Sequence, residues 1–232
     1  MTDWFDSALG RRVLQEETLL AREALEDVFG FDLLQIGHWG RERALLSAVR
    51  TQHATVVEEH ARPGIDVRAQ LEALPFSSDA IDAVLLPHTL EMVDDPYTVL
   101  REAARVLRPE GSLLICNFNP HSGWGVRRLL ARRLGRPEFP PDIQRMISER
   151  RLKDWMALLG FDVERVFGYL SPVPFGAPRP APAWHSRPAV MSGAYLLKAR
   201  KRTLTLTLLR PRWRTRPRVL VPAAEPTNRV RG

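Results

Sequence analysis

The stretch from 81 to 118 limits the fold more than any other part of the chain, because it alternates the patterns of a strand, a helix and a strand. Residues 81–86 form an apolar run that predicts a buried strand. Asp95-Pro96 predicts the start of a helix, since Asp is a good N-cap and Pro fits the first helical position. Residues 112–118 form a second apolar run. This rhythm predicts parallel crossover units, in an open α/β sheet with helices on both faces.

The remainder of the chain supplies more elements of the same kinds. Short apolar runs predict strands at 31–37, 54–58, 65–67, 161–167 and, as a last strand or hairpin, 194–208. Helical spacing of apolar residues predicts helices at 3–29, 41–50 and 148–159. Irregular structure is predicted for the basic stretch 120–147, for a proline-rich loop at 170–190 and for the end of the chain.

Charge is divided unevenly between the two halves of the chain. The whole sequence has 34 Lys+Arg against 27 Asp+Glu and a net charge of +7, but residues 1–120 carry −9 and residues 121–232 carry +16. A basic surface attracts polyanions such as RNA. The second half therefore has two interpretations: solvated arginines beside a disordered tail, or a polyanion contact formed by 127–136 and 200–218.

Other features exclude whole classes of protein. The single cysteine, Cys116, excludes a disulfide framework and a cysteine-based zinc site. The six histidines have no compact ligand spacing, so we expect no metal. The first residues are acidic, and no apolar run reaches the roughly 18–20 residues that span a bilayer. We therefore expect a cytoplasmic protein with no membrane partner.

Several motifs in the middle of the chain form a specific set. They are Leu74-Pro75-Phe76, Ile81-Asp82-Ala83-Val84, His88-Thr89-Leu90-Glu91 and the segment from Arg101 to Leu114. Together they resemble the central block of class I S-adenosylmethionine-dependent methyltransferases, and most closely the type 11 domain of a small bacterial branch. The resemblance implies a Rossmann-like seven-stranded sheet, mostly parallel with one antiparallel strand, and S-adenosylmethionine as the cofactor.

The resemblance also implies a division of the chain. Residues 1–208 would form one methyltransferase domain, followed by a basic Pro/Arg-rich tail at 209–232 that we expect to be disordered. Within the domain we expect a helical cap at 1–29, a cofactor-binding half at 30–120 and a substrate-side half at 121–208.

Family positions then suggest a cofactor site at the turns that follow the first four strands. Gly37 matches the first glycine of the nucleotide-binding turn, and Gly40 lies nearby. Glu58 matches the acidic residue that accepts hydrogen bonds from the ribose hydroxyls, with Glu59 as the competing register. The other candidates are Gln70 and Leu71, beside the adenine ring, and Pro87 and His88, near the methyl group.

Some residues depart from the family pattern. Trp39 and Arg41 stand where the second and third glycines of the Gly-x-Gly-x-Gly turn are usual, and Gln70 replaces a frequent Asp. These departures support an alternative hypothesis, in which an inactive methyltransferase fold binds a partner or nucleic acid. The methyl acceptor could be a small molecule, RNA or protein.

His88 is a weak candidate for a catalytic base, since histidine titrates near neutrality. The alternative is that it hydrogen-bonds the following turn.

Overall fold

The computed structural model describes residues 2–28, 30, 32–41, 43–46, 52–135, 142–170 and 192–202. The helices in these ranges are α1 (Thr2–Phe5), α2 (Ala8–Leu25), α3 (Thr89–Met92), α4 (Pro96–Val106), α5 (Gly123–Arg133) and α6 (Glu149–Leu158). The strands are β1 (Asp32–Ile36), β2 (His53–Glu58), β3 (Val67–Arg68), β4 (Ile81–Pro87), β5 (Leu107–Phe118), β6 (Phe161–Tyr169) and β7 (Ala194–Lys201). The predicted tail at 209–232 and residues 171–190 of the predicted loop lie outside the described residues.

All seven strands join one sheet, in the order β3-β2-β1-β4-β5-β7-β6. The pairs from β3 through to β5 are parallel, whereas β7 runs antiparallel to both β5 and β6. The predicted fold, a mostly parallel seven-stranded sheet with one antiparallel strand near the C-terminus, is confirmed.

Each face of the sheet carries its own apolar core. Successive side chains of a strand point to opposite faces, so Leu34 packs with α4 and α6, while its neighbour Leu33 packs with α2. Both strand residues are fully buried. Helices therefore cover both faces, as the apolar runs of the strands predict.

Some predicted elements have different bounds. The helix predicted over 3–29 is broken at Ser7, which caps α2 by accepting a hydrogen bond from Gly10 N at 3.0 Å. Of the helix predicted over 41–50, the described residues 41 and 43–46 contain a 3₁₀ turn at Ala44–Leu46, and residues 42 and 47–50 lie outside the described part of the chain. β5 starts at Leu107 instead of 112, because Leu107 already pairs with Ile81 of β4.

The stretch 120–147 was predicted to be irregular, and this prediction was wrong for its first part. Residues 123–133 form helix α5, in which Trp124 and Arg128 are the buried side chains. The sequence pattern conceals the helix because its aliphatic residues do not face the core.

The ends of β1, β2, β4 and β5 lie along the same edge of the sheet, and this edge carries the candidate site.

Candidate functional site

A cavity of about 590 Å³ lies at the carboxyl ends of β1, β2 and β4. Its wall includes Gly37 after β1, Glu58 at the end of β2, Leu71 after β3 and Thr89 at the start of α3. Open α/β sheets bind ligands at this edge. The fold therefore gathers residues from four separate turns around one space.

Gly37 ends β1 in a conformation that favours glycine. Its φ is +84°, and a Cβ atom there would lie 2.5 Å from Thr89 Oγ1. The Thr89 hydroxyl donates to the carbonyl of Ile36, while Gly37 N donates to Val57 O at 2.8 Å. The turn is consequently held against both β2 and α3, and any other residue would be strained.

The Glu58 carboxylate is fixed by backbone groups at the cavity wall. Its Oε2 accepts from His38 N at 2.7 Å, and its Oε1 accepts from Glu59 N at 3.0 Å. An ionised carboxylate has about four acceptor positions, so these two bonds leave capacity for ligand hydroxyls. Glu59 also contributes to the wall.

The other predicted cofactor residues are not among the residues that line this cavity. Gly40, with a φ of +85°, packs against Leu14 of α2, and Gln70 is exposed to solvent. Pro87 is buried at the end of β4, opposite Cys116 of β5. Of the predicted set, the structure brings together Gly37, Glu58 and Leu71, with Glu59 beside them.

Trp39 points into the protein and is absent from the cavity wall. Its side chain is 1% exposed and stacks on His88, with the ring centroids 4.1 Å apart. It also meets Phe5 edge to face at 5.0 Å, and its Nε1 donates to Glu17 Oε2 at 2.5 Å. The indole thus forms part of the core under the N-terminal helices.

His88 is the centre of a buried polar cluster that lies behind the cavity. Its Nδ1 is 2.7 Å from Glu91 Oε2, and its Nε2 is 2.8 Å from Glu17 Oε1. The Tyr169 hydroxyl donates to the same Glu17 oxygen at 2.8 Å. All four side chains are buried. The cluster therefore connects α2, the end of β4 and β6.

The electrostatics of this cluster favour a charged imidazole. Burial alone would lower the pKa of His88, but the neighbouring carboxylates Glu17 and Glu91 outweigh it and raise that pKa to about 9. Burial raises the pKa of Glu91, although its hydrogen bond from His88 opposes the shift. Burial also raises the pKa of Tyr169 well above its usual value. A protonated His88 between carboxylates is a strong attachment point for α2.

Comparison with known proteins places the fold and the motifs in one family. A family model described as "Methyltransferase domain" matches residues 39–115. The uncharacterised protein YafS of Escherichia coli (strain K12) is 34% identical over 221 residues, which cover 91% of this chain and 84% of YafS. The chain belongs to the class I S-adenosylmethionine-dependent methyltransferases. S-adenosylmethionine is the cofactor of this methyltransferase domain.

More distant similarities agree with this family assignment. A demethylmenaquinone methyltransferase of Mycobacterium marinum is 42% identical over 60 residues, 26% of each chain. A structure of an S-adenosylmethionine-dependent methyltransferase from Thermotoga maritima superposes with a TM-score of 0.61 at 19% identity, covering 87% of this chain and all of that one. The second comparison supports the fold alone.

The residues of the cavity at the carboxyl edge of the sheet fit an adenosine-containing cofactor. Glu58 offers unused acceptor capacity beside a glycine turn, and the buried Leu71 supplies an apolar wall.

No group of three or more His, Cys, Asp or Glu side chains in the described residues is arranged to hold a metal ion. Within those same ranges, no helix has the length and apolar character to cross a bilayer.

Sequence reasoning missed Glu17 and Tyr169 as members of the His88 cluster. A signal for Glu17 was present, because it lies four residues after Val13 and three before Leu20, on the apolar stripe of α2. A carboxylate on an apolar stripe needs a buried partner. Tyr169 gives no such signal, since its contact with Glu17 spans 152 residues of sequence.

Proposed function

We propose that this protein transfers a methyl group from S-adenosylmethionine to an acceptor held at the carboxyl edge of the sheet. The observation that carries the proposal is the position of Gly37 and the backbone-fixed Glu58 carboxylate on one cavity wall. Trp39, which stands where the family usually has a glycine, does not line the cavity, because its indole packs under α2 against His88. This supports the enzyme over the hypothesis of an inactive fold.

Each cavity residue has a specific binding role in this proposal. Glu58 accepts hydrogen bonds from the ribose hydroxyls, and the two backbone donors that hold it fix the direction of those bonds. Leu71 packs against the adenine ring. Gly37 lets the backbone of the β1 turn approach the cofactor without a Cβ atom in the way. When bound, S-adenosylmethionine supplies a methyl group attached to a sulfonium sulfur. That sulfur is already a good leaving group, because it departs as a neutral thioether.

The contribution of the protein to the reaction is mainly orientation. Such a transfer needs the acceptor atom to be held in line with the methyl group and shielded from water. This positioning can supply a large part of the rate enhancement without any acid or base. Asp142 and Gln144, which belong to the half at 121–208 that the resemblance assigns to the substrate, also line the cavity. We assign the acceptor to that side.

His88 has a structural role in this proposal. It is fully buried, and its two ring nitrogens are already engaged by Glu91 and Glu17. It is absent from the cavity wall, so it has no direct path to an acceptor there. We therefore assign it to holding the N-terminal cap on the end of β4, and not to proton abstraction.

Isothermal titration of the full chain with S-adenosylmethionine and with S-adenosylhomocysteine tests the proposal. We expect each ligand to bind with a stoichiometry of one and to raise the melting temperature. Absence of both heat and thermal shift at millimolar ligand would contradict the enzyme and favour an inactive fold. A parallel incubation with methyl-labelled cofactor and a cell extract, followed by separation of small molecules, RNA and protein, then identifies the class of acceptor.

A further inference from the structure

Helix α5 has an unusual distribution of side chains, with aliphatic residues outside. The exposed fractions are 56% for Val126, 54% for Leu129, 52% for Leu130 and 66% for Leu134, which caps the helix. The positions i, i+3, i+4 and i+8 share one face of an α-helix. The face that packs on the protein carries Trp124 and Arg128 instead. Four aliphatic side chains therefore form one exposed stripe, the α5 stripe.

The charged residues of α5 itself are all positive. Residues 123–135 contain four arginines and no acidic residue. Arg132 and Arg133 are exposed in the last turn, next to Leu129 and Leu130. An 11-residue helix is about 16 Å long at 1.5 Å per residue. The stripe is thus a convex apolar ridge bordered by cations.

Helix α5 is attached, through the face opposite the α5 stripe, to a wall of the cavity. The buried Arg128 of α5 donates to the carbonyl of Ile143. The residues on either side, Asp142 and Gln144, line the cavity. Gln144 N in turn donates to Glu91 O at 2.9 Å. A partner bound by α5 would therefore lie close to the acceptor side of the cavity.

We propose that α5 docks this protein on an anionic membrane surface. Aliphatic side chains of an interfacial helix enter the boundary between headgroups and acyl chains, while arginines meet the lipid phosphates. RNA fits less well, because single-stranded nucleic acid is bound by aromatic stacking and charge, to which exposed leucines contribute little. Our expectation of no membrane partner rested on the lack of a spanning segment, which peripheral binding does not need. The proposal stands independently of methyl transfer.

Vesicle flotation with the full-length protein tests this inference. The probes are vesicles of phosphatidylcholine alone and of phosphatidylcholine with phosphatidylglycerol. We expect binding only to the anionic vesicles. The double variant Leu129→Gln/Leu130→Gln should reduce that binding at least tenfold, since the apolar contact is lost. Arg132→Gln/Arg133→Gln should reduce it as well and weaken its dependence on salt.

A matched control is available on another helix. Leu158 of α6 is 76% exposed and lies outside the α5 stripe, so Leu158→Gln should leave vesicle binding unchanged. All variants should keep the wild-type melting temperature within a few degrees, because each changes an exposed side chain.

Several outcomes would overturn the inference. They are no flotation with anionic vesicles, flotation unaffected by the double leucine variant, and an equal loss with Leu158→Gln. RNA binding measured by fluorescence anisotropy that falls with the leucine variant, without vesicle binding, would assign the α5 stripe to RNA. A dimer in sedimentation that the leucine variant dissociates would assign it to a second copy of this chain.

Discussion

The side chains of Glu17 and His88 meet in the protein interior, where Glu17 Oε1 lies 2.8 Å from His88 Nε2. The pair joins helix α2 to the end of β4 across 71 residues of sequence. Both side chains are fully buried, so the attraction between them is not weakened by solvent. This contact fixes the N-terminal helix α2 over one face of the sheet, close to the carboxyl edge that carries the cavity.

Removal of the Glu17 carboxylate should destabilise the protein strongly. Glu17→Ala removes the carboxylate acceptor of His88 Nε2 and of the Trp39 indole N–H, and breaking a buried pair in this way costs about 3–5 kcal/mol. Denaturant unfolding followed by circular dichroism measures the change. Gln15→Ala, at an exposed position of the same helix, should change the free energy of unfolding by less than about 0.5 kcal/mol. Equal effects of the two variants would contradict the role of Glu17.

The contribution of His88 to stability should depend on pH. Its pKa is about 9 in the folded protein, against 6.5 for the unperturbed side chain. A raised pKa in the folded state means that the stabilisation is fully present below about pH 6.5 and is lost as the pH rises through about 9. The difference in free energy of unfolding between wild type and His88→Gln should therefore shrink over this range. A difference that stays constant from pH 6 to 10 would show that the imidazole is not charged.

Substitution of Gly37 should disturb both stability and cofactor binding. Gly37→Ala places a residue with a side chain at a φ of +84° and brings its Cβ to 2.5 Å from Thr89 Oγ1. We expect a loss of about 1–3 kcal/mol in the free energy of unfolding, together with weaker binding of S-adenosylhomocysteine. Gly160→Ala is the matched control, because Gly160 has a φ of +79° and no atom within 4 Å of the added Cβ. It should cost less and leave ligand affinity unchanged.

The fold was predictable from the sequence because its determinants are local. The apolar runs that became β1, β2, β4 and β5, and the Asp95 cap that starts α4, follow from short-range patterns. The order of the strands came from the resemblance to a family. Helix α5 was missed because Val126, Leu129 and Leu130 face away from the core, so burial gives no inward stripe to recognise.

The site was predictable only in part. Gly37, Glu58 and Leu71 line the cavity because each follows a strand that ends at the same edge of the sheet. The orientation of Trp39 depends on Phe5 and Glu17, which come from helices distant in sequence, and no local pattern specifies it. For the same reason His88 was considered as a base, although its partners are buried carboxylates that keep it behind the cavity wall.

Glu58 should dominate the recognition of the cofactor ribose. Glu58→Gln removes the charge from the acceptor, and the loss of a charge-assisted hydrogen bond of about 1.5–3 kcal/mol predicts affinity for S-adenosylhomocysteine weaker by tenfold or more. Isothermal titration measures the effect. Glu59→Gln should have a smaller effect, and Gln70→Ala should have none, because Gln70 is exposed and outside the cavity wall. A larger loss with Glu59→Gln than with Glu58→Gln would assign the ribose contact to the neighbouring residue.

A crystal structure of the protein with S-adenosylhomocysteine tests the central claim most directly. The account predicts adenosine in the cavity beside Gly37, with ribose hydroxyls within hydrogen-bond distance of Glu58 and the adenine against Leu71. It also predicts that Trp39 remains stacked on His88 in the complex. Ligand bound elsewhere on the molecule, or an indole that moves into the cavity and displaces the ribose from Glu58, would contradict it.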